Sequence, residues 1–181
     1  MREIEIKLKV ENLGELAKKL SERGYELSDP IQQHDIVYSL KDKPQRIEYA
    51  KEGDISIRIR RSGGKAELNL KQQQSNEMDN LEYETEVKDP EAMHQILLKL
   101  GYVPEVEVKK IRRKGKLGPY EICLDEVERL GTFVELEKLA PDNTDPEEIR
   151  EELFRELEKL GLSRKDEETR GYDNQILQLD I

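Results

Sequence analysis

The chain has 181 residues, enough for one domain or two small fused halves, and a formal net charge of −10 from 31 Lys+Arg against 41 Asp+Glu. That balance argues against a broad nucleic-acid surface, which needs a basic face, and it suits divalent cations. Cys123 is the only cysteine, which excludes an internal disulfide and a multi-cysteine zinc site, and no apolar run exceeds three residues, so neither a membrane span nor a membrane partner is expected and a cytoplasmic setting is.

Residues 1–10 alternate strictly, as a strand with two unlike faces does: Ile4, Ile6 and Leu8 point one way, Glu3, Glu5 and Lys7 the other. The two carboxylates would stand roughly 7 Å apart, and like charges so placed repel unless something cationic lies between or opposite them. Asn12 is positioned to cap a helix reaching about residue 23, with Leu13, Leu16, Ala17 and Leu20 as its apolar stripe and Gly24 as its stop. A strand over residues 34–40, a turn at 41–44, a short strand at 46–50 and a turn at 52–54 follow. Residues 55–60 alternate again, Ile55, Ile57 and Ile59 against Ser56, Arg58 and Arg60. Gly63-Gly64 reads as a hairpin turn into a strand setting Ala66, Leu68 and Leu70 against Glu67, Asn69 and Lys71.

Residues 72–80 read as a polar loop, and 81–87 as a strand with Glu82, Glu84 and Glu86 on one face. Asp89 and Pro90 open a second helix whose stripe is Met93, Ile96, Leu97 and Leu100 and whose stop is Gly101. Three strands come next. Residues 106–113 place Lys110 and Arg112 beside Val108, 120–127 place Glu121, Cys123 and Asp125 opposite Ile122 and Leu124, and 133–138 place Glu135 and Glu137 opposite Val134 and Leu136. A third helix over 146–160 is capped by Asp145 and stopped by Gly161, and the tail, apolar at Ile176, Leu177 and Leu179, forms a last short helix on the body.

A Glu-x-Glu strand followed by a helix that ends at a glycine occurs three times, and a basic strand follows in the first two units. The pattern predicts a single domain over 1–181 built from duplicated halves of about 1–80 and 81–181, closed into a pseudo-symmetric antiparallel barrel. Amphipathic helices would cover the aliphatic faces from outside, so the charged faces must line the interior, wide enough in an eight-stranded barrel for a small ligand. Carboxylates and cations lining one space suit metal-assisted phosphoryl transfer: Arg and Lys grip a polyphosphate, and carboxylates hold Mg²⁺ or Mn²⁺. The competing explanation is a ladder of cross-strand ion pairs, but exposed pairs contribute only ~0–1 kcal/mol each, weak grounds for so many in register. His34, His94 and the Glu-rich third helix suggest packing or solvated surface rather than chemistry, and Cys123, sharing the inward parity of Glu121 and Asp125, would line the interior without acting as a nucleophile.

Glu3-x-Glu5-x-Lys7, Arg58-x-Arg60, Lys71 in Leu-Asn-Leu-Lys, Glu84-x-Glu86 and Lys110-x-Arg112 follow one another in the order of the CYTH superfamily, which the chain resembles along essentially its whole length. The run from Leu124 through Glu137 is similar to the class IV adenylate cyclase-like branch. The resemblance implies an α+β fold, a closed eight-stranded antiparallel triphosphate tunnel with helices packed outside. It implies Glu3, Glu5 and Glu137 on one metal, Asp125 and Glu135 on or near a second, and Arg58, Arg60, Lys71, Lys110 and Arg112 on the phosphates. Lys7, Asp125 and Glu135 form the implied catalytic set, with Glu84 and Glu86 toward the substrate and Lys7 and Glu86 orienting water. Gln72-Gln73 and Gly171-Tyr172 depart from the Gly-Pro and Ser-Tyr more usual in the family. The implied cofactor is Mg²⁺ or Mn²⁺, the partner a small triphosphate (ATP, inorganic triphosphate or thiamine triphosphate), with no nucleic acid, and the protein a monomer or homodimer. Cyclisation of ATP, hydrolysis of a triphosphate and non-catalytic binding of a nucleotide or polyphosphate all remain open, because no adenine-reading element stands out.

Overall fold

The computed structural model describes residues 2–42 and 52–179. The elements are β1 (Arg2–Lys9), α1 (Leu13–Glu22), β2 (Ile31–Leu40), β3 (Ile55–Ser62), β4 (Lys65–Gln73), β5 (Asp79–Glu86), α2 (Pro90–Lys99), β6 (Tyr102–Leu117), β7 (Tyr120–Val127), β8 (Gly131–Ala140), α3 (Pro146–Lys159) and α4 (Tyr172–Leu179). The strand expected at 46–50 and part of the turn at 41–44 lie outside the described residues. The eight strands close into an antiparallel barrel in the order β1-β5-β4-β3-β2-β6-β7-β8. Exchanging β1–β4 with β5–β8 in turn leaves that ring order unchanged.

Local chemistry sets most boundaries. The side chains of Asn12, Asp89 and Asp145 accept from the backbone N–H of Glu15, Ala92 and Glu147, satisfying donors that a helix start leaves orphaned. Gly63 and Gly64 both have positive φ, 57° and 80°, as the two-residue turn between β3 and β4 requires. β6 is longer than its expected 106–113, running 16 residues and pairing with both β2 and β7. The expected loop at 72–80 shrinks to a turn, since β4 continues through Gln72 and Gln73 and β5 begins at Asp79.

The core lies mostly outside the barrel. Ile4, Ile6 and Leu8 of β1, with Ile122, Leu124, Val134 and Leu136, pack under Leu16 and Leu20 of α1 and Leu153, Phe154 and Leu157 of α3. α2 covers Tyr38, Ile57 and Ile59 with a narrower stripe than expected: Leu97 is buried and Met93 partly so, while Ile96 and Leu100 are exposed. α4, the last short helix expected on the body, packs across one end of the barrel. Its Tyr172, Ile176 and Leu177 pack on Val37, Val106, Val108, Val127 and Phe133, several of them inward-facing, so the helix closes one end of the barrel. Glu77, in the turn before β5, ties it there by accepting from the N–H of Gly171 (2.7 Å) and Nδ2 of Asn174 (2.8 Å). A Cβ at Gly171 would press on the carboxylate end of the Asp173 side chain, which would have to turn aside. No helix among the described residues is long and apolar enough to cross a membrane.

Candidate active site

The inward faces of all eight strands line one cavity of about 460 Å³ that ends against α4. On one wall β1 and β8 run in register, Glu5 opposite Glu137 and Lys7 opposite Glu135, and β7 continues the row with Glu121 opposite Glu137. Glu3, Glu5 and Glu137 each present a carboxylate oxygen within 4.8 Å of the others. Burial, and then repulsion from Glu3 and Glu5, pushes the Glu137 carboxyl up to about 8; burial and Glu135 push Glu5 up to about 7. Glu3 is also raised, by burial first, with Lys71 opposing. Three carboxyls that resist ionisation side by side make a site that a divalent cation would relieve.

Facing them is the basic wall. Lys71 Nζ bridges Glu3 (2.7 Å) and Glu82 (3.3 Å), and burial, which alone would lower its pKa, is outweighed by those two carboxylates. Arg58 lies 3.4 Å from Glu82 and 3.7 Å from Asp35. Arg60 is forked onto Asp35. Arg112 contacts both Asp125 and Glu135, and Lys110 Nζ is 3.1 Å from Asp125. Burial and the neighbouring Arg112 hold the Lys110 ammonium below its ordinary value. Lys7 is buried at the closed end, donating to the Arg170 carbonyl (2.6 Å) with its Nζ 4.5 Å from the centre of the Tyr172 ring. The Tyr172 hydroxyl donates to Asp125 Oδ2 (3.1 Å).

The structure therefore brings together Glu3, Glu5, Lys7, Arg58, Arg60, Lys71, Lys110, Arg112, Glu135 and Glu137. Two expected residues, Asp125 and Glu86, sit elsewhere, and a third, Glu84, lines the cavity at an exposed position. Asp125 is fully buried behind Arg112, Lys110 and Tyr172, apart from the Glu3–Glu5–Glu137 cluster, and acts as their counter-ion. Glu84 is exposed in the lining near the open end. Glu86 faces a different surface groove, where it pairs with Lys65. Glu82, two residues earlier, makes the contacts to Lys71, Arg58 and Asn69 instead. Burial would raise its pKa, but Lys71 and Arg58 hold it well below the carboxylate range. Asp35 is a site residue that the sequence does not mark: its face of β2 carries Ile31, Gln33 and Val37, and the opposite face Gln32, His34, Ile36 and Tyr38, so neither reads as a charged lining.

Glu121, Cys123 and Glu137 form a second close group. Cys123 is fully buried and burial pushes its thiol well above the ordinary value, so it resists the deprotonation that metal ligation needs. The all-carboxylate group suits a hard divalent cation better.

Residues 1–172 match the CYTH domain model. A Methanocaldococcus jannaschii protein provisionally named an adenylate cyclase is 32% identical over 166 residues, spanning 91% of this chain and 92% of its own. A Vibrio parahaemolyticus structure, also provisionally named an adenylate cyclase, is 25% identical with a TM-score of 0.81, covering 97% of both chains. A Hippeastrum protein described as having a dominant triphosphatase activity shares the fold at 19% identity and a TM-score of 0.61, across 99% of this chain and 95% of its own. A family match running from the first strand to the residue that closes the barrel, on a closed eight-stranded frame, places this chain in the CYTH domain family.

Proposed function

We propose that the protein is a divalent-metal-dependent enzyme acting on a triphosphate inside its barrel, like a class IV adenylate cyclase converting ATP to cyclic AMP and pyrophosphate. The observation that carries this reading is the cavity in which Arg58, Arg60, Lys71, Lys110 and Arg112 share one lining with the crowded carboxylates of Glu3, Glu5 and Glu137. Arg58, Arg60, Lys71, Lys110 and Arg112 would take the phosphate oxygens, the arginines by paired N–H donors. Glu3, Glu5 and Glu137 would hold Mg²⁺ or Mn²⁺, since their donors are all oxygens and their ionisation is hindered until positive charge arrives. Such an ion supplies charge neutralisation at the phosphate oxygens. Glu135, held by Arg112, and Lys7, fixed on the Arg170 carbonyl, would orient the reacting end of the substrate.

Hydrolysis is the second reading. Among the described lining residues the only aromatic ring is Tyr172, at the closed end, so nothing there is built to stack a nucleobase. The triphosphatase activity described for the Hippeastrum protein fits the same frame. Incubation with ATP, thiamine triphosphate and inorganic triphosphate, each with Mg²⁺ or Mn²⁺, separates the readings. Cyclic AMP with pyrophosphate supports cyclisation, and orthophosphate supports hydrolysis. Absence of any product from all three overturns the enzyme assignment.

A further inference from the structure

The Lys71 ammonium is shared between two carboxylates on different strands, 2.7 Å from Glu3 and 3.3 Å from Glu82. Glu82 is the register partner of Lys71 on β5, whereas Glu3 stands one strand further round, on β1. Glu3 also belongs to the trio whose carboxylate oxygens lie within 4.8 Å of one another, so Lys71 sits on a residue that would hold the divalent cation. Glu82 lies outside that trio and gathers three other side chains: Lys71, Arg58 at 3.4 Å, and Asn69. The side chains of Lys71, Glu3 and Glu82 are each at most 20% exposed, so water offers the ammonium no ready third partner.

A divalent cation and an ammonium on one carboxylate repel each other strongly in a site so little open to water. The hard cation that the all-oxygen trio suits needs Glu3 as a ligand, so the ammonium must give way. An ammonium left without a partner in such a place is costly, and Glu82 is the acceptor already in contact with it. The exchange asks only for rotation about the side-chain bonds of Lys71. We propose that Glu82 is a positioning residue: when Glu3 is taken by a divalent cation, Glu82 receives Lys71 and holds it beside Arg58, so that filling the metal site uncovers a phosphate-binding cation. This rests on the metal and triphosphate reading above and deepens it by giving the order of binding. With Glu3 free, Lys71 and Arg58 are balanced by Glu3 and Glu82. With Glu3 engaged, the two cations share Glu82, and one positive charge is released toward the phosphates. Asp35 does not alter that count, since Arg60 already holds both its oxygens. By linkage, triphosphate strengthens metal binding by the same factor as metal strengthens triphosphate binding.

Calorimetric titration with Mn²⁺, in the absence of any triphosphate, tests the inference through a double-mutant cycle in variants confirmed as folded by circular dichroism. Lys71→Met vacates Glu3 and is expected to bind Mn²⁺ at least about tenfold more tightly than the unmodified protein; Glu82→Gln removes the second acceptor and is expected to bind it about tenfold more weakly. With Lys71 already replaced, Glu82→Gln is expected to change Mn²⁺ binding by no more than about twofold. An equal loss in both backgrounds overturns the inference, because it assigns Glu82 a plain field effect on the metal. A crystal structure of the unmodified protein with Mn²⁺ decides the matter whether or not the variants fold. Lys71 Nζ is expected on Glu82 alone; an ammonium still on Glu3 beside the bound ion overturns the inference and leaves the metal site standing. Failure of Mn²⁺ to bind the unmodified protein overturns the metal site with it.

Discussion

Arg60 grips Asp35 with two hydrogen bonds, Nε to Oδ1 at 2.8 Å and Nη2 to Oδ2 at 2.7 Å, between residues that are register partners on β2 and β3. Burial would raise the Asp35 carboxyl, but Arg60 and Arg58 hold it far below the carboxylate range. A phosphate reaching Arg60 must therefore compete with a carboxylate already in place. Asp35→Ala should cost about 3–5 kcal/mol in urea unfolding of the ligand-free protein, because it strands buried cations. Inorganic triphosphate should then raise the melting temperature of the variant more than that of the unmodified protein.

The acidic cluster gives a pH dependence of definite sign. Glu137 and Glu5 are raised from an ordinary value of 4.5 to about 8 and about 7, so ionising them costs more in the folded chain than in the unfolded one. Their contribution to stability is fully present below the unfolded value and is lost as pH climbs through that window. In chelator, the melting temperature should fall between about pH 5 and pH 8. Glu137→Gln should flatten the profile, and Mg²⁺ should lift the melting temperature of the unmodified protein more at pH 8 than at pH 5. An identical slope in Glu137→Gln would show that the cluster does not carry the effect.

Gly115 lies where β6 passes the chain after α1, bridging to Leu27, and a Cβ there would stand 2.7 Å from the Glu26 carbonyl oxygen and 2.9 Å from Leu27. Backbone cannot yield as a flexible side chain can. Gly115→Ala should lose about 1–3 kcal/mol of stability by denaturant titration, as overpacked sites do.

At the closed end, packing and hydrogen bonding can be told apart. Ile176→Ala removes buried contact with the valines and Phe133 and should cost about 2–5 kcal/mol. Tyr172→Phe keeps the ring against Phe133 and beneath Lys7 but loses the bond to Asp125. It should cost about 1.5–3 kcal/mol of stability, because the acceptor is a buried charge, and should lower turnover by loosening Lys110 and Arg112 around Asp125. Steady-state kinetics beside urea unfolding would separate these two effects.

What was legible in the sequence was periodicity. β1 and residues 55–60 of β3 are legible because each alternates without interruption, and the capped helices because Asn12, Asp89 and Asp145 precede apolar stripes. What was hidden depended on which face meets which neighbour. Ile96 and Leu100 share a helical stripe with Leu97, yet the convex barrel wall touches α2 along too narrow a line to bury them. Glu82, Glu84 and Glu86 share one strand face, but they stand opposite Lys71, Asn69 and Glu67 of β4 in turn, so only the first meets Lys71. Tyr172 sits far from the charged strands in sequence, and no local pattern marks it as the residue that fills the barrel's end.

Because α4 packs across that end, the cavity stops there against Lys7 and Tyr172. If a substrate entering from the opposite end is split in two, the deeper fragment would leave after the shallower one. The fragment lodged against Lys7 and Tyr172 would be the one that, added back in excess, competes with fresh substrate for the empty chamber. On that reading the short C-terminal helix would set an order of departure as well as a boundary.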